Sequence, residues 1–131
     1  MSRALDDLDD RMRPLAVELI ARAAEHGIPV MIVDVLRTPA QQAINVAAGV
    51  SWTLKSLHLP QPPSMKSLAI DLCPYAQYDL HGPDKLAWSE TDPAWQLLGA
   101  LGQSLGLKWG VVDAHGRRKD LGHFEFVKGG T

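Results

Sequence analysis

Apolar residues recur at helical spacing near the start of the chain. Leu5, Leu8 and Met12 make a short amphipathic turn or two, and Leu15, Leu19, Ile20 and Ala23 fall on one face of a longer helix. Pro14 suits the first position of that second helix, where its missing N–H goes unused, and Gly27 with Pro29 stops it, so the spacing predicts a helix over about 15–26. The period then changes. Val30-Met31-Ile32-Val33-Asp34-Val35-Leu36 is a β-branched run with little polar relief, the pattern of a central strand covered on both faces. Arg37 ends it. Thr38 then caps a helix with Pro39 in its first position, Gln41 reaching back in a capping box, and Gly49 marking the end.

Residues 50–67 are irregular, with Pro60, Pro62 and Pro63 close together, and read as a loop. Residues 68–73 alternate: Leu68, Ile70 and Leu72 face one way, Ala69, Asp71 and Cys73 the other. A last strand over 122–127 directs Phe124 and Phe126 to a core and leaves His123 and Glu125 on the opposite face. Between them Asp92 caps a helix that has Pro93 in its first position, apolar residues at Trp95, Leu98, Leu101 and Leu105, and Gly106 as its stop. Helices flanking a small antiparallel sheet make an α+β domain. There is no internal repeat, low-complexity tract or second core.

Composition narrows the function classes. A chain of 131 residues is expected to form one domain, 1–131, burying about two thirds of its unfolded surface. An apolar fraction of 46% and a net charge of −2 are ordinary for a globular protein and give no electrostatic reason to expect nucleic acid. The single Cys73 excludes an intramolecular disulfide and reads as a small buried residue. The opening residues are polar and acidic where a secretory signal would be basic and then apolar, so synthesis in the cytoplasm without a signal peptide is expected. No run approaches the roughly 18 apolar residues that span a bilayer, so stable membrane insertion is not expected.

Candidate chemistry lies in the second half. His58, Asp71 and His123 are two imidazoles and a carboxylate, a set that leaves a fourth tetrahedral position for water, and Asp120 is a further carboxylate able to take that water's proton. Taken singly, each has a plainer reading, as a hydrogen-bonded structural histidine or a turn-forming aspartate. Spacing alone leaves both readings open. Arg37, at a strand-to-helix corner, is either a cleft residue or a solvated one. His26, His81 and His115 read as surface residues. Of the tryptophans, Trp52, Trp88, Trp95 and Trp109, Trp95 belongs to the core and Trp109 is placed to border a cleft. The run Arg117-Arg118-Lys119 reads as a solvated hairpin, with a secondary reading as an attractor of an anionic cell wall.

The order Leu36-Arg37-Thr38 with Gln42, then Gly49, Ser51 and Thr53, Ser56-x-His58, Ala69-x-Asp71-Leu72, Trp109-Gly110 and Asp120-x-x-His123-Phe124-Glu125 resembles the zinc-dependent peptidoglycan peptidases of the M15 group. It is most similar to small phage endolysins with L-alanyl-D-glutamate peptidase activity, relatives of D-alanyl-D-alanine carboxypeptidases and dipeptidases. The resemblance runs over almost the whole chain. It implies a Hedgehog/DD-peptidase-like fold, Zn2+ held by His58, Asp71 and His123, Asp120 as the catalytic carboxylate, and Arg37 on a substrate carboxylate or carbonyl. Gln42 and Ser56 then line the same cleft, and Glu125 supports the ligand histidine beside it.

The chain departs from the group's pattern in one place. Twelve residues separate His58 from Asp71, where the group has a short Ser-x-His-x-x-Gly-x-Ala-x-Asp spacing, and Ser67 replaces the glycine. The resemblance therefore implies a monomeric zinc endopeptidase acting on peptidoglycan stem peptides, in the periplasm or at the cell wall after release. A D-alanyl-D-alanine carboxypeptidase or dipeptidase is the nearest alternative. A non-catalytic cell-wall-binding module is the alternative from a different class.

Overall fold

Four antiparallel strands build the sheet, in the order β1-β2-β4-β3, with β1 at Val30–Asp34, β2 at Ala69–Pro74, β3 at Lys108–Val112 and β4 at Arg118–Glu125. Three helices accompany it: α1 at Arg13–Glu25, α2 at Pro39–Ala47 and α3 at Ala94–Ser104. The computed structural model describes residues 2–49, 56–75 and 92–127. Ser51, Trp52, Thr53, His81 and Trp88 lie outside them. None of the helices among the described residues is long and apolar enough to cross a membrane.

Register assigns the two faces, because directly paired residues project to the same side. Ile70 pairs with Phe124, and Phe124 with Trp109. This face is covered by α3, where Gly99 and Gly102 leave room for the Trp109 and Phe124 rings. A Cβ at either glycine would enter a ring, so the helix lies close to the sheet only because both side chains are absent. Leu8, Met12, Leu19, Leu72 and Leu98 complete a core from which water is excluded. The other face carries Asp71 paired with His123, Asp34 paired with Asp71, and Lys108 paired with Glu125.

The apolar run at 30–36 is an edge strand, not the central one its pattern predicts. It ends at Asp34 and leaves Met31 44% exposed. A continuous apolar run does not distinguish these cases, because an edge strand can pack on one face and be shielded at its end by main chain. Here Ser2 supplies that shield, donating to the Leu36 carbonyl and accepting from Val35 N–H. The central position goes to β2, which is buried except at Asp71 and has alternating faces as predicted.

Capping explains α2. Thr38 Oγ1 accepts from Gln41 N–H at 3.1 Å, as expected, but the Gln41 side chain turns along the helix to donate to Asn45 Oδ1 at 2.9 Å, so only half of the predicted box forms. Helix α1 starts at Arg13, slightly before the expected position, and α3 starts at Ala94, whose N–H is accepted by Asp92 Oδ1 at 2.9 Å. Strand β3 has no sequence-based counterpart, and β4 begins well before 122.

The proline-bearing loop after His58 is tied to the N-terminal segment. Ser64 Oγ donates to Asp9 Oδ2 at 2.6 Å, Lys66 Nζ donates to the Asp6 carbonyl at 2.7 Å, and Asp9 N–H donates to the Ser67 carbonyl at 2.8 Å. Arg11 holds the buried Asp9 carboxylate through Nε at 2.9 Å. That pairing keeps the Asp9 carboxyl far below the usual carboxylate range despite burial. The extra residues are thus an ordered flap of main chain anchored at its far end.

Candidate metal centre

Asp71 and His123 are direct cross-strand partners, so antiparallel pairing alone brings their side chains together. His58 arrives from the loop. Its carbonyl accepts from Arg37 N–H at 2.8 Å, Leu57 O accepts from Leu68 N–H at 3.0 Å, and Ser56 Oγ accepts from His58 N–H at 3.1 Å. These bonds stitch the loop between the ends of β1 and β2 and fix its imidazole over the sheet.

Three ligand-type atoms meet there. His58 Nε2 and His123 Nδ1 each lie 3.0 Å from Asp71 Oδ1, and 3.3 Å from each other. A tetrahedral zinc with bonds of about 2.0–2.2 Å sets its ligand atoms about 3.4 Å apart, so the triangle is close to metal-ready size. No other group of three or more metal-ligating side chains is found among the described residues.

The remaining ring nitrogens decide what the triangle can hold. His58 Nδ1–H donates to the Val35 carbonyl at 2.7 Å, and His123 Nε2–H donates to Glu125 Oε1 at 2.8 Å. Both neutral rings therefore turn a lone pair toward Asp71 Oδ1, itself an acceptor. Three lone pairs facing one point require a cation between them, either a proton or a metal ion. The charge balance agrees. Burial opposes ionisation of Asp71, yet hydrogen bonds with His123 and His58 hold its carboxyl far below the usual range. Burial likewise opposes a charge on His123, but Asp71 and Glu125 outweigh it and push the ring up to about 10. Glu125 is lowered, its hydrogen bond with His123 prevailing over burial.

Arg37 works from behind Asp71. Its Nε donates to Asp34, one terminal nitrogen donates to Gln42 Oε1 at 3.0 Å, and the other donates to Asp71 Oδ2 at 3.3 Å. Gln42 is buried and meets Arg37, where the sequence placed it on the cleft wall. Asp34 is the residue that sequence reasoning missed. A carboxylate inside an apolar run, three residues before an arginine, is costly to bury unless the two pair, and that spacing was its signal.

Asp120 comes within electrostatic range of the site, on an irregular stretch of β4. The β3–β4 register shifts between Trp109 and Val111, bulging residues of β4 opposite Gly110. Gly110 has φ 58°, and a Cβ there would lie 2.5 Å from the Lys119 carbonyl oxygen. Asp120 itself has φ 55°, a left-handed conformation that aspartate tolerates better than most side chains. The residue is exposed, but partial burial of its carboxyl and the charge of Asp71 raise its pKa, against lowering by His123, His58 and Arg37. Asp71, His123, His58 and Arg37 thus all act on Asp120.

Other expectations sort cleanly. Trp109 does not border this site: it lies on the helix-covered face, donates to the Leu121 carbonyl at 2.7 Å and is covered by the Arg118 guanidinium at 4.4 Å. Trp95 and Cys73 are buried. His26 hydrogen-bonds at the end of α1 with the Arg22 carbonyl, and His115 is exposed in the β3–β4 turn.

No protein-family profile matches the chain. Over 55 residues, 42% of its length, it is 38% identical to the L-alanyl-D-glutamate peptidase of Listeria phage A118. The matched part is 20% of that relative, so the chain spans about a fifth of the curated protein it resembles. Among solved structures, its fold is similar to that of the Serratia marcescens L-Ala D-Glu endopeptidase ChiX. The TM-score is 0.61 at 20% identity, and the match covers 94% of this chain and 83% of that one. The likeness in structure is one of fold.

Proposed function

We propose that this chain is a zinc-dependent peptidoglycan hydrolase that cuts the L-alanyl-D-glutamate bond of cell-wall stem peptides, acting as a monomer in the periplasm or at the cell wall. The observation that carries the proposal is the triangle of His58, Asp71 and His123, its outer ring nitrogens already engaged, with Asp120 within electrostatic range of it. The similarity to an L-alanyl-D-glutamate peptidase and the fold shared with another support the choice of substrate.

In this reading His58 Nε2, Asp71 Oδ1 and His123 Nδ1 hold Zn2+. Bound zinc polarises a carbonyl and lowers the pKa of water toward about 7. Asp120 takes the proton of the attacking water and delivers it to the leaving amine; its raised pKa makes it a better proton acceptor and donor near neutrality than an ordinary carboxylate. The Val35 carbonyl and Glu125 hold the two rings in the required tautomers. Arg37 has five N–H groups, of which three are engaged by Asp34, Gln42 and Asp71, so two remain for a substrate carbonyl or carboxylate. Gln42 and Ser56 serve substrate binding at one remove, by setting Arg37 and the His58 loop.

Mass spectrometry of products from purified muropeptides tests the reading. Cleavage between L-alanine and D-glutamate, abolished by chelation and restored by Zn2+, is expected. Release of D-alanine with the L-alanyl bond intact would assign a carboxypeptidase instead, and binding without any product would assign a cell-wall-binding module.

Zinc binding should also depend on pH. With His123 raised to about 10, the metal-free site carries a proton at neutral pH that Zn2+ must displace. Affinity is therefore expected to rise about tenfold per pH unit between pH 6 and 8.5, because one proton leaves for each ion bound. Calorimetry in buffers of different ionisation enthalpy would count that proton, and a pH-independent affinity would show that the triangle holds none.

A further inference from the structure

We infer that Lys108 is a specificity-determining residue that meets a carboxylate of the substrate next to the scissile bond; this rests on the function proposed above. Three carboxylates, Asp71, Asp120 and Glu125, stand at the site, and an anionic stem peptide must approach them. The cation already there, Arg37, spends three of its five N–H groups on Asp34, Gln42 and Asp71 and keeps two for one substrate carbonyl or carboxylate, so a second anionic group calls for another cation. Elsewhere Arg11 is paired with Asp9, Lys66 is bound to the Asp6 carbonyl, Arg118 lies over Trp109, and Lys119 is beside Asp113.

Lys108 differs from all of these. It is exposed, and among the described residues it makes no hydrogen bond or ion pair. Its direct cross-strand partner is Glu125, so its side chain leaves the sheet on the same face as Asp71 and His123. Glu125 in turn accepts from His123 Nε2–H at 2.8 Å. From His123 the position is two residues along β4 and one strand across, about 7 Å by about 5 Å in ordinary sheet geometry. A lysine stem spans much of that distance, and one substrate residue covers about 3.3 Å when extended, so the ammonium reaches a group one residue from the bond that is cut.

In a stem peptide joined through the D-glutamate side-chain carboxyl, the α-carboxyl of that residue is such a group. It is present either free or as the amide. Lys108 also offsets Glu125, which would otherwise repel the free acid. The expected behaviour is therefore a preference for the free carboxylate over the amide, expressed in binding.

The test measures hydrolysis of two synthetic stem peptides, one with a free D-glutamate α-carboxyl and one with that group amidated, by the zinc-loaded wild type, Lys108→Met and Lys108→Arg. Wild type should favour the free acid about three- to tenfold in kcat/KM, with the difference in KM, as suits a partly exposed ion pair. Lys108→Met should lose that preference through a rise in KM for the free acid, and Lys108→Arg should keep it. A wild-type preference in Lys108→Met, or an equal fall in kcat on both peptides, would overturn the inference. Should wild type cut neither peptide, the proposed function fails. Calorimetric binding of the same two peptides then decides Lys108 separately, a preference erased by Lys108→Met supporting it and equal binding by wild type refuting it.

Discussion

Asp120→Asn is expected to lower kcat for stem-peptide hydrolysis by about 10² to 10⁴, the usual contribution of a general acid-base group, while Zn2+ stays bound. Asparagine is the informative replacement. It keeps the side-chain shape and tolerates the left-handed backbone of φ 55° at least as well as aspartate, so a loss of activity will not be a loss of fold. Stability should be unchanged or slightly greater. Burial and the charge of Asp71 raise the Asp120 pKa, which means that the folded protein holds its ionised form at a cost, and the amide relieves that cost. A base must be ionised to accept a proton, so in zinc-saturated enzyme, where loss of metal does not intervene, activity should fall with acidification as Asp120 protonates, and Asp120→Asn should remove that limb from whatever rate remains. Near-wild-type turnover in the variant, with zinc bound, would eliminate Asp120 as the base.

Asp120 also shows what the chain alone could reveal. Its position three residues before His123 was legible, but a regular strand places residues 120 and 123 on opposite faces. The shifted β3–β4 register and the positive φ angles of Gly110 and Asp120 break that alternation, and those depend on a pairing between strands that local pattern does not encode. Strand β3 was missed for a related reason. Lys108-Trp109-Gly110-Val111-Val112 contains a glycine and has no clean alternation, and what makes it a strand is its partner.

The meeting of the candidate ligands was more legible because it needs less. Asp71 and His123 each lie on an alternating strand, so their faces follow from a period of two, and antiparallel pairing does the rest. His58 required the loop to return, and main-chain bonds from Leu57 and His58 to Leu68 and Arg37 accomplish that whatever the length of the proline-bearing segment beyond. Length itself costs little in such a loop, roughly 0.6 kcal/mol for each doubling. Its docking on Asp9 could not be read from sequence, since Asp9 and Ser64 are far apart in the chain and each resembles a surface residue. The charges behind Asp71 were only partly legible: the corner position of Arg37 left it either a cleft residue or a solvated one, and its partner Asp34 was hidden in an apolar run.

Gly122→Ala is expected to damage fold and metal site together. A Cβ at this position would lie well inside van der Waals contact of the Leu72 carbonyl oxygen and 3.4 Å from the carbonyl carbon, both main-chain atoms of the neighbouring strand. No rotamer relieves that clash, so β4 must move away from β2. Overpacking against side chains costs about 1–3 kcal/mol, and a clash with fixed backbone belongs at or above the upper end of that range. For a chain of this length, about 3 kcal/mol corresponds to a fall in Tm on the order of 10 °C. The adjacent residue is His123, whose pairing with Asp71 sets one side of the candidate ligand triangle, so the strand displacement should also weaken Zn2+ binding more than tenfold. Gly116→Ala supplies the contrast. Nothing lies within 4 Å of its added Cβ, but φ is 77°, so it should lose only about 1 kcal/mol of stability through backbone strain and bind Zn2+ like wild type. Thermal melts and zinc titrations on both variants separate a general loss of stability from a displaced strand. Wild-type zinc affinity in folded Gly122→Ala would show that the β2–β4 spacing does not set the metal site.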